Sequence, residues 1–282
     1  EQSPTYVDVR TYQSIKKKSD IINYKVVVFD EVHHVAAKVL YKIAMNCDNA
    51  ILVGCSATPY RDDGEDLRIE AAIGKIISRV TKDELVKKGY LVDAEVRYIP
   101  LTKPSKEFLD YHEAYEKFIV NNKERNDKIV KVALRESKNR NVLILIQKIE
   151  HGRTLQGALY LNSDVCFMHG GLPKKERIKM FDEIREGKYN VTIATSLFDE
   201  GIDIHNFEIL ILGVGGKSSV KVVQRVGRLL RPFPGKEKAI IYDFIDEFKW
   251  LREHYQKRRE ILEEDFEAKE WDEEQQSLEE FK

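Results

Sequence analysis

Along the 282 residues, short apolar runs alternate with longer polar stretches of helical spacing. The clearest runs are KVVVFD (25–30), AILVGCSA (50–57), VLILIQ (142–147), VCFMHG (165–170), VTIAT (191–195), EILILGV (208–214) and AIIYDFI (239–245). Each is continuously apolar, the pattern of parallel strands buried on both faces. Between them lie helical stretches such as KKERIKMFDEIREGK (174–188), opened by Pro173 near the first turn and ended near Gly187. Strand and helix in alternation predict an α/β fold with parallel sheets and ligands at the C-terminal strand ends.

The pattern divides near Glu95. Ahead of it stand two strands and a candidate third at YVDVRTY (6–12); after it come five, preceded by EVRYIPL (95–101) and a helical connection over 105–137. Five or six strands make a complete sheet, whereas two or three make part of one. The chain therefore reads as the rear part of one domain (1–95), a whole domain (96–246) and a charged helical tail (247–282).

Composition narrows the class. Hydrophobic residues make up 42% of the chain, enough for a globular core. Cys47, Cys55 and Cys166 are too few and scattered for a disulfide framework or a zinc site, which favours an intracellular setting. No apolar run approaches the roughly 20 residues that span a bilayer. The net charge of −1 averages unlike parts: residues 258–282 carry 4 basic and 11 acidic side chains, leaving the rest at +6. A mildly basic body permits binding of a polyanion. In the acidic tail Ile261, Leu262, Phe266 and Trp271 fall near helical spacing, predicting a solvated helix that could also offer a surface to a protein partner.

Two strand ends carry candidate chemistry. Asp30 closes the first strand, where a carboxylate suits Mg²⁺, a hard cation that takes oxygen ligands and keeps water in its shell. Glu31 beside it could touch that metal through water and orient and deprotonate an attacking water. Alternatively, Asp-Glu there is a helix start favouring negative charge. The next strand runs into Ser56 and Thr58 before Pro59, and His33 is within reach to bridge the two ends. Later, QRVGRLLRP (224–232) sets Arg228 and Arg231 three apart on one helical face, where they suit the charge of a γ-phosphate; the alternative is a solvated basic helix. GVGGKSS (213–219) only imitates a phosphate loop, because the first glycine of that motif would fall at Ile211.

Taken in order, these motifs resemble those of the superfamily 2 helicases. DEVH (30–33) is similar to their motif II, SAT (56–58) to motif III, and VLILIQKIEHGRTLQGAL (142–159) to motif IV. ATSLFDEGIDI (194–204) is similar to motif V, QRVGRLLRP to motif VI, and VRTYQSI (9–15) to the threonine-bearing segment ahead of motif II. Within the superfamily, SATPYRDDG followed by AAIGKII resembles the XPB and UvsW branch of DNA helicases. That branch has an Arg-Glu-Asp triplet after motif III; here Arg61-Asp62-Asp63 stands in its place, with a shorter carboxylate in the middle.

The resemblance implies two RecA-like domains, the first incomplete, with ATP hydrolysed between them and Mg²⁺ as the accompanying ion. It implies that Asp30 holds the metal, that Glu31 activates water, and that Arg228 and Arg231 act as arginine fingers. Gly201 and Asp203 meet the nucleotide, Gln224 joins motif VI to the site, and His33, Ser56 and Thr58 couple hydrolysis to domain movement. Thr11, Arg61, Asp62, Asp63, Thr195 and Lys217 face DNA, single-stranded or branched, with little regard for its sequence. The family's phosphate loop (Walker A) lies well upstream of motif II, and only 29 residues precede Asp30 here. The expectation is the C-terminal portion of an ATP-dependent DNA helicase or translocase, inactive in hydrolysis by itself. An RNA-directed ATPase of the same superfamily and a non-hydrolysing scaffold derived from a helicase are the alternatives.

Overall fold

The structure, a computed structural model, describes residues 7–15, 21, 23–36, 38–47, 49–56, 66–104, 109–195, 205–215 and 226–271. It divides into two compact units, Glu1–Arg79 and Val80–Lys282. The sequence pattern divides near residue 95; the stretch from 80 to 95 goes with the second unit, because the strand it leads into is part of that unit's sheet.

In the first unit, β1 (Val26–Phe29) leads through a 3-10 turn (Val32–Ala36) into α1 (Lys38–Met45). Strand β2 (Ile51–Gly54) lies parallel to β1, with Val26 opposite Ile51 and Phe29 opposite Gly54, and α2 (Asp66–Ala72) follows. Ile21, Phe29, Val32, Val35, Ile43 and Ile69 form the core. Here the structure departs from burial on both faces: Val26, Val28, Ile51 and Val53 are exposed, because the described helices cover only the face of Val27 and Leu52. Of the candidate third strand over 6–12, residues 7–11 form no strand. They end in a 3-10 turn (Tyr12–Ser14) in which the Ser14 amide and hydroxyl both donate to the Thr11 carbonyl, at 3.0 and 2.7 Å.

The second unit opens with α3 (Lys82–Lys87), whose first turn is closed by a reciprocal Thr81–Glu84 capping box, and β3 (Asp93–Ile99). Next come α4 (Tyr111–Tyr115), which runs on as a π-helical turn (Glu116–Val120), and α5 (Lys123–Glu136). After these follow β4 (Val142–Leu145), α6 (Ile149–Leu159), β5 (Val165–Met168), α7 (Lys174–Arg185), β6 (Val191–Ala194) and β7 (Ile209–Leu212). The unit ends with β8 (Lys238–Phe244), α8 (Lys249–Asp265) and β9 (Glu267–Glu270). The strand order is β5-β6-β4-β7-β8-β3-β9, all parallel. Strands β4, β6 and β7 are buried throughout. Alternate residues feed two cores on opposite faces: Leu143 and Leu145 enter one, Val142 and Ile144 the other. Each such buried side chain is worth about 1.5–3 kcal/mol, so the apolar runs that mark the strands also hold the unit together.

The tail differs from the expected solvated helix. Helix α8 stops at Asp265, and the chain extends into β9, which pairs with β3 from Glu95 opposite Glu267 to Tyr98 opposite Glu270. Leu262 is buried on α8, and Trp271 closes the edge by entering the core while its amide donates to the Tyr98 carbonyl at 2.8 Å. The Lys269 ammonium sits 2.9 Å from Glu95, a carboxylate also met by Arg97 at 2.5 Å and Lys238 at 3.1 Å. Burial raises the Glu95 pKa, but these cations outweigh it and hold the group down at about 2.

Candidate functional site

Asp30 and Glu31 stand where β1 ends. Burial of Phe29 and Val32 on either side fixes the exit, and two backbone bonds lock it to β2: Cys55 N–H donates to the Phe29 carbonyl and Val32 N–H to the Cys55 carbonyl, each at 2.9 Å. Between these bonds Glu31 adopts the left-handed backbone conformation, with φ of 50°. A non-glycine residue held there costs of order 1–3 kcal/mol and is found preferentially at functional positions. The strain is offset locally, because the Glu31 amide donates to Asp30 Oδ1 at 3.0 Å.

His33 is buried, and its Nδ1 lies 2.9 Å from Ser56 Oγ and 3.4 Å from Glu31 Oε2. The imidazole therefore faces the carboxylate at the end of β1 and the hydroxyl at the end of β2 together. His34 is exposed; its ring makes a tilted contact with His33, and its amide donates to the Glu31 carbonyl at 2.9 Å. The close approach depends on Gly54. A Cβ there would come within 2.6 Å of Val32 Cγ2, so a larger residue would drive the turn bearing His33 away from β2.

In the second unit, residues 226–229 are helical; Val226, ahead of Arg228, and Leu229 and Leu230, between Arg228 and Arg231, are buried in the core. Arg228 is half-buried and Arg231 exposed. That amphipathic anchoring is the opposite of a freely solvated basic helix. Thr195 closes β6; it is 7% exposed and its amide donates to the Met168 carbonyl at 3.2 Å. In the first unit Thr11 is exposed. Thr58, Arg61, Asp62, Asp63, Gly201, Asp203, Lys217 and Gln224 lie outside the described residues.

For Mg²⁺ the donor chemistry at β1 fits: Asp30 is an exposed carboxylate at a parallel strand's C-terminal end, with Glu31 adjacent. Mg²⁺ keeps several waters and takes one or two protein carboxylates, so this pair is of the right kind to hold it.

Comparison with known proteins bears on both units. The profile of the helicase conserved C-terminal domain matches residues 124–232, and that of the type III restriction enzyme res subunit matches residues 2–61. Together with the relatives below, these two matches support a superfamily 2 helicase of the XPB and UvsW type. Helicase 22 of Sulfolobus islandicus filamentous virus is 29% identical over 85% of this chain and 47% of its own length. The DNA 3'-5' translocase XPB2 of Sulfurisphaera tokodaii is 26% identical over 82% and 62%. The ATP-dependent DNA helicase UvsW of phage T4 is 26% identical over 85% and 50%. The crystal structure of T4 UvsW matches 92% of this chain and 56% of that one, with a TM-score of 0.53 and 21% identity, a likeness of fold. The chain thus spans about half the length of the curated relatives it matches.

One buried cation, close in sequence to Arg228 and Arg231, carries no motif signature. Lys236 follows Phe233-Pro234-Gly235, where the Lys236 amide donates to the Phe233 carbonyl at 2.9 Å and Gly235 has φ of 85°. Proline then glycine at the centre of such a turn is a type II signature. It could have marked the turn, though not the inward course of the lysine.

Proposed function

We propose that this chain supplies the hydrolysis and coupling residues of an ATP-driven DNA helicase or translocase. The observation that carries the reading is the joined end of β1 and β2, where Asp30, the strained Glu31, His33 and Ser56 converge. Glu31 takes a proton from the water that attacks the γ-phosphate. Arg228 and Arg231 offset the negative charge that develops on the transferred group. Mg²⁺, held by Asp30 and reached by Glu31 through water, would neutralise phosphate charge when bound.

His33 and Ser56 link the carboxylate end of one strand to the hydroxyl end of the next, so a change at the γ-phosphate is felt at motif III. Thr58 belongs to the same link, Gln224 joins motif VI to it, and Gly201 and Asp203 contact the nucleotide. Thr11, Thr195, Arg61, Asp62, Asp63 and Lys217 face the DNA backbone. Contacts of that kind make affinity salt-dependent and almost blind to sequence.

Titration of the chain with labelled single-stranded DNA, duplex DNA and RNA of matched length, at two salt concentrations, tests the substrate class. The expected result is DNA binding that weakens as salt rises and does not vary with base sequence. Tighter binding to RNA than to either DNA would transfer the reading to the RNA-directed branch.

A further inference from the structure

Lys236 is 7% exposed, and among the described residues no carboxylate lies within ion-pairing distance of it. Its Nζ instead donates to two backbone carbonyls: that of Leu229, in the last helical turn of the arginine-bearing segment, and that of His205, at 3.3 Å. His205 directly follows the segment that resembles motif V. One ammonium therefore ties the exits of motifs V and VI together.

The carbonyls around it show why a lysine is useful there. The last carbonyls of a helix lack intrahelical donors and carry the negative end of its dipole, which favours a cation. Here Leu230 N–H donates to Val226, Arg231 N–H to Arg228, and Val92 N–H, from the stretch before β3, to Leu230 at 2.8 Å. The Leu229 carbonyl is taken by Lys236. Arg228 is thus one residue from a carbonyl fixed by Lys236, and Arg231 is two residues from it.

We propose that Lys236 is a positioning residue for the helicase reaction, clamping the helix end that presents Arg228 and Arg231 to the exit of motif V. It does not touch the nucleotide. Its hold is delivered by the Pro234-Gly235 turn, which folds the chain back so that the side chain points under the helix. Burial is the first cause lowering the lysine's pKa, to about 8, with Glu208 opposing it; the ammonium sits there in spite of desolvation. The inference rests on the reading of Arg228 and Arg231 as nucleotide-facing.

The test compares Lys236→Met, which keeps length but loses all donors, with Lys236→Arg, which keeps donors and charge. Two readouts are needed: DNA-stimulated ATP hydrolysis by the natural protein carrying these residues, and amide-exchange protection factors across 226–231 in the same samples. Lys236→Met should lower kcat at least about 10-fold with KM for ATP changed less than about 3-fold, and should lower protection at 226–231 alone. Lys236→Arg should restore most of both. Unchanged protection at 226–231 in Lys236→Met would overturn the clamp. Lost protection with unchanged kcat would leave the clamp intact and overturn its role in positioning. If no variant or parent hydrolyses ATP, the proposed function fails while the exchange data still decide the clamp. Should Lys236→Met not fold, the same protection and kcat criteria apply to Lys236→Gln.

Discussion

His33 Nδ1 lies 2.9 Å from Ser56 Oγ, a contact between residues 23 apart in sequence that joins the turn after β1 to the end of β2. It exists because the 3-10 turn packs directly against β2 at Gly54, where there is no side chain to hold it off. Gly54→Ala should therefore push Val32 and His33 outward. The predicted destabilisation of the first unit is about 1–3 kcal/mol, the usual cost of overpacking, read from chemical denaturation. Ser56→Ala removes only the hydroxyl and should cost about 1 kcal/mol. An effect of Gly54→Ala no larger than that of Ser56→Ala would contradict the packing account.

The second unit should lose stability in mild acid. His151 is fully buried on α6, its Nε2 lies 2.8 Å from Asn126 Oδ1, and its Nδ1 is buried without a hydrogen-bond partner among the described residues. Burial first, and then the Arg125 charge, lower its pKa to about 4. In the unfolded chain the group titrates near 6.5, so between roughly pH 6.5 and 4 the unfolded state binds the extra proton and stability falls as pH is lowered. The full effect is about 3 kcal/mol. His151→Gln should flatten this limb of the stability-against-pH curve. Glu95 acts lower still: its contribution is complete above its ordinary value and is lost as pH falls towards 2.

Arg258 on α8 is 1% exposed and donates to Asp243 at 3.0 and 3.1 Å and to Asp246 at 3.3 Å, while Arg125 reaches Asp246 from α5 at 2.7 Å. Arg258→Ala leaves the Asp243 carboxylate buried without its partner. The expected cost is about 3–5 kcal/mol, seen as loss of the second unit's unfolding transition at moderate denaturant. A change below about 1 kcal/mol would mean the helix is held by its apolar residues alone.

Strands β4 to β8 could be read from the sequence because each is apolar on consecutive residues, and parallel strands covered on both faces require that. The same rule misjudged β1 and β2. Val26, Val28, Ile51 and Val53 are as apolar as their neighbours, yet no described element covers them. Strand β9 (Glu-Ala-Lys-Glu) carries no apolar run at all; backbone pairing to β3 and the Trp271 anchor hold it, and neither leaves a periodic trace. Arg258 misled for a related reason, since a charged residue on a polar helix reads as solvated until its two aspartates on another element are seen. At the site, Asp30, Glu31, His33 and Ser56 could be singled out because strand ends and turn residues mark them locally. Lys236 could not, because its partners are backbone carbonyls distant in sequence, or hidden in a helix end, which no side-chain motif records.

In the proposed function Glu31 activates water for ATP hydrolysis driven by DNA. The most direct test of that role is steady-state hydrolysis by the natural protein carrying these residues, with and without single-stranded DNA, duplex DNA and RNA, beside Glu31→Gln. Turnover should be stimulated by DNA and reduced at least about 100-fold in Glu31→Gln, with DNA affinity retained. Hydrolysis that ignores DNA, or that survives Glu31→Gln, would contradict it.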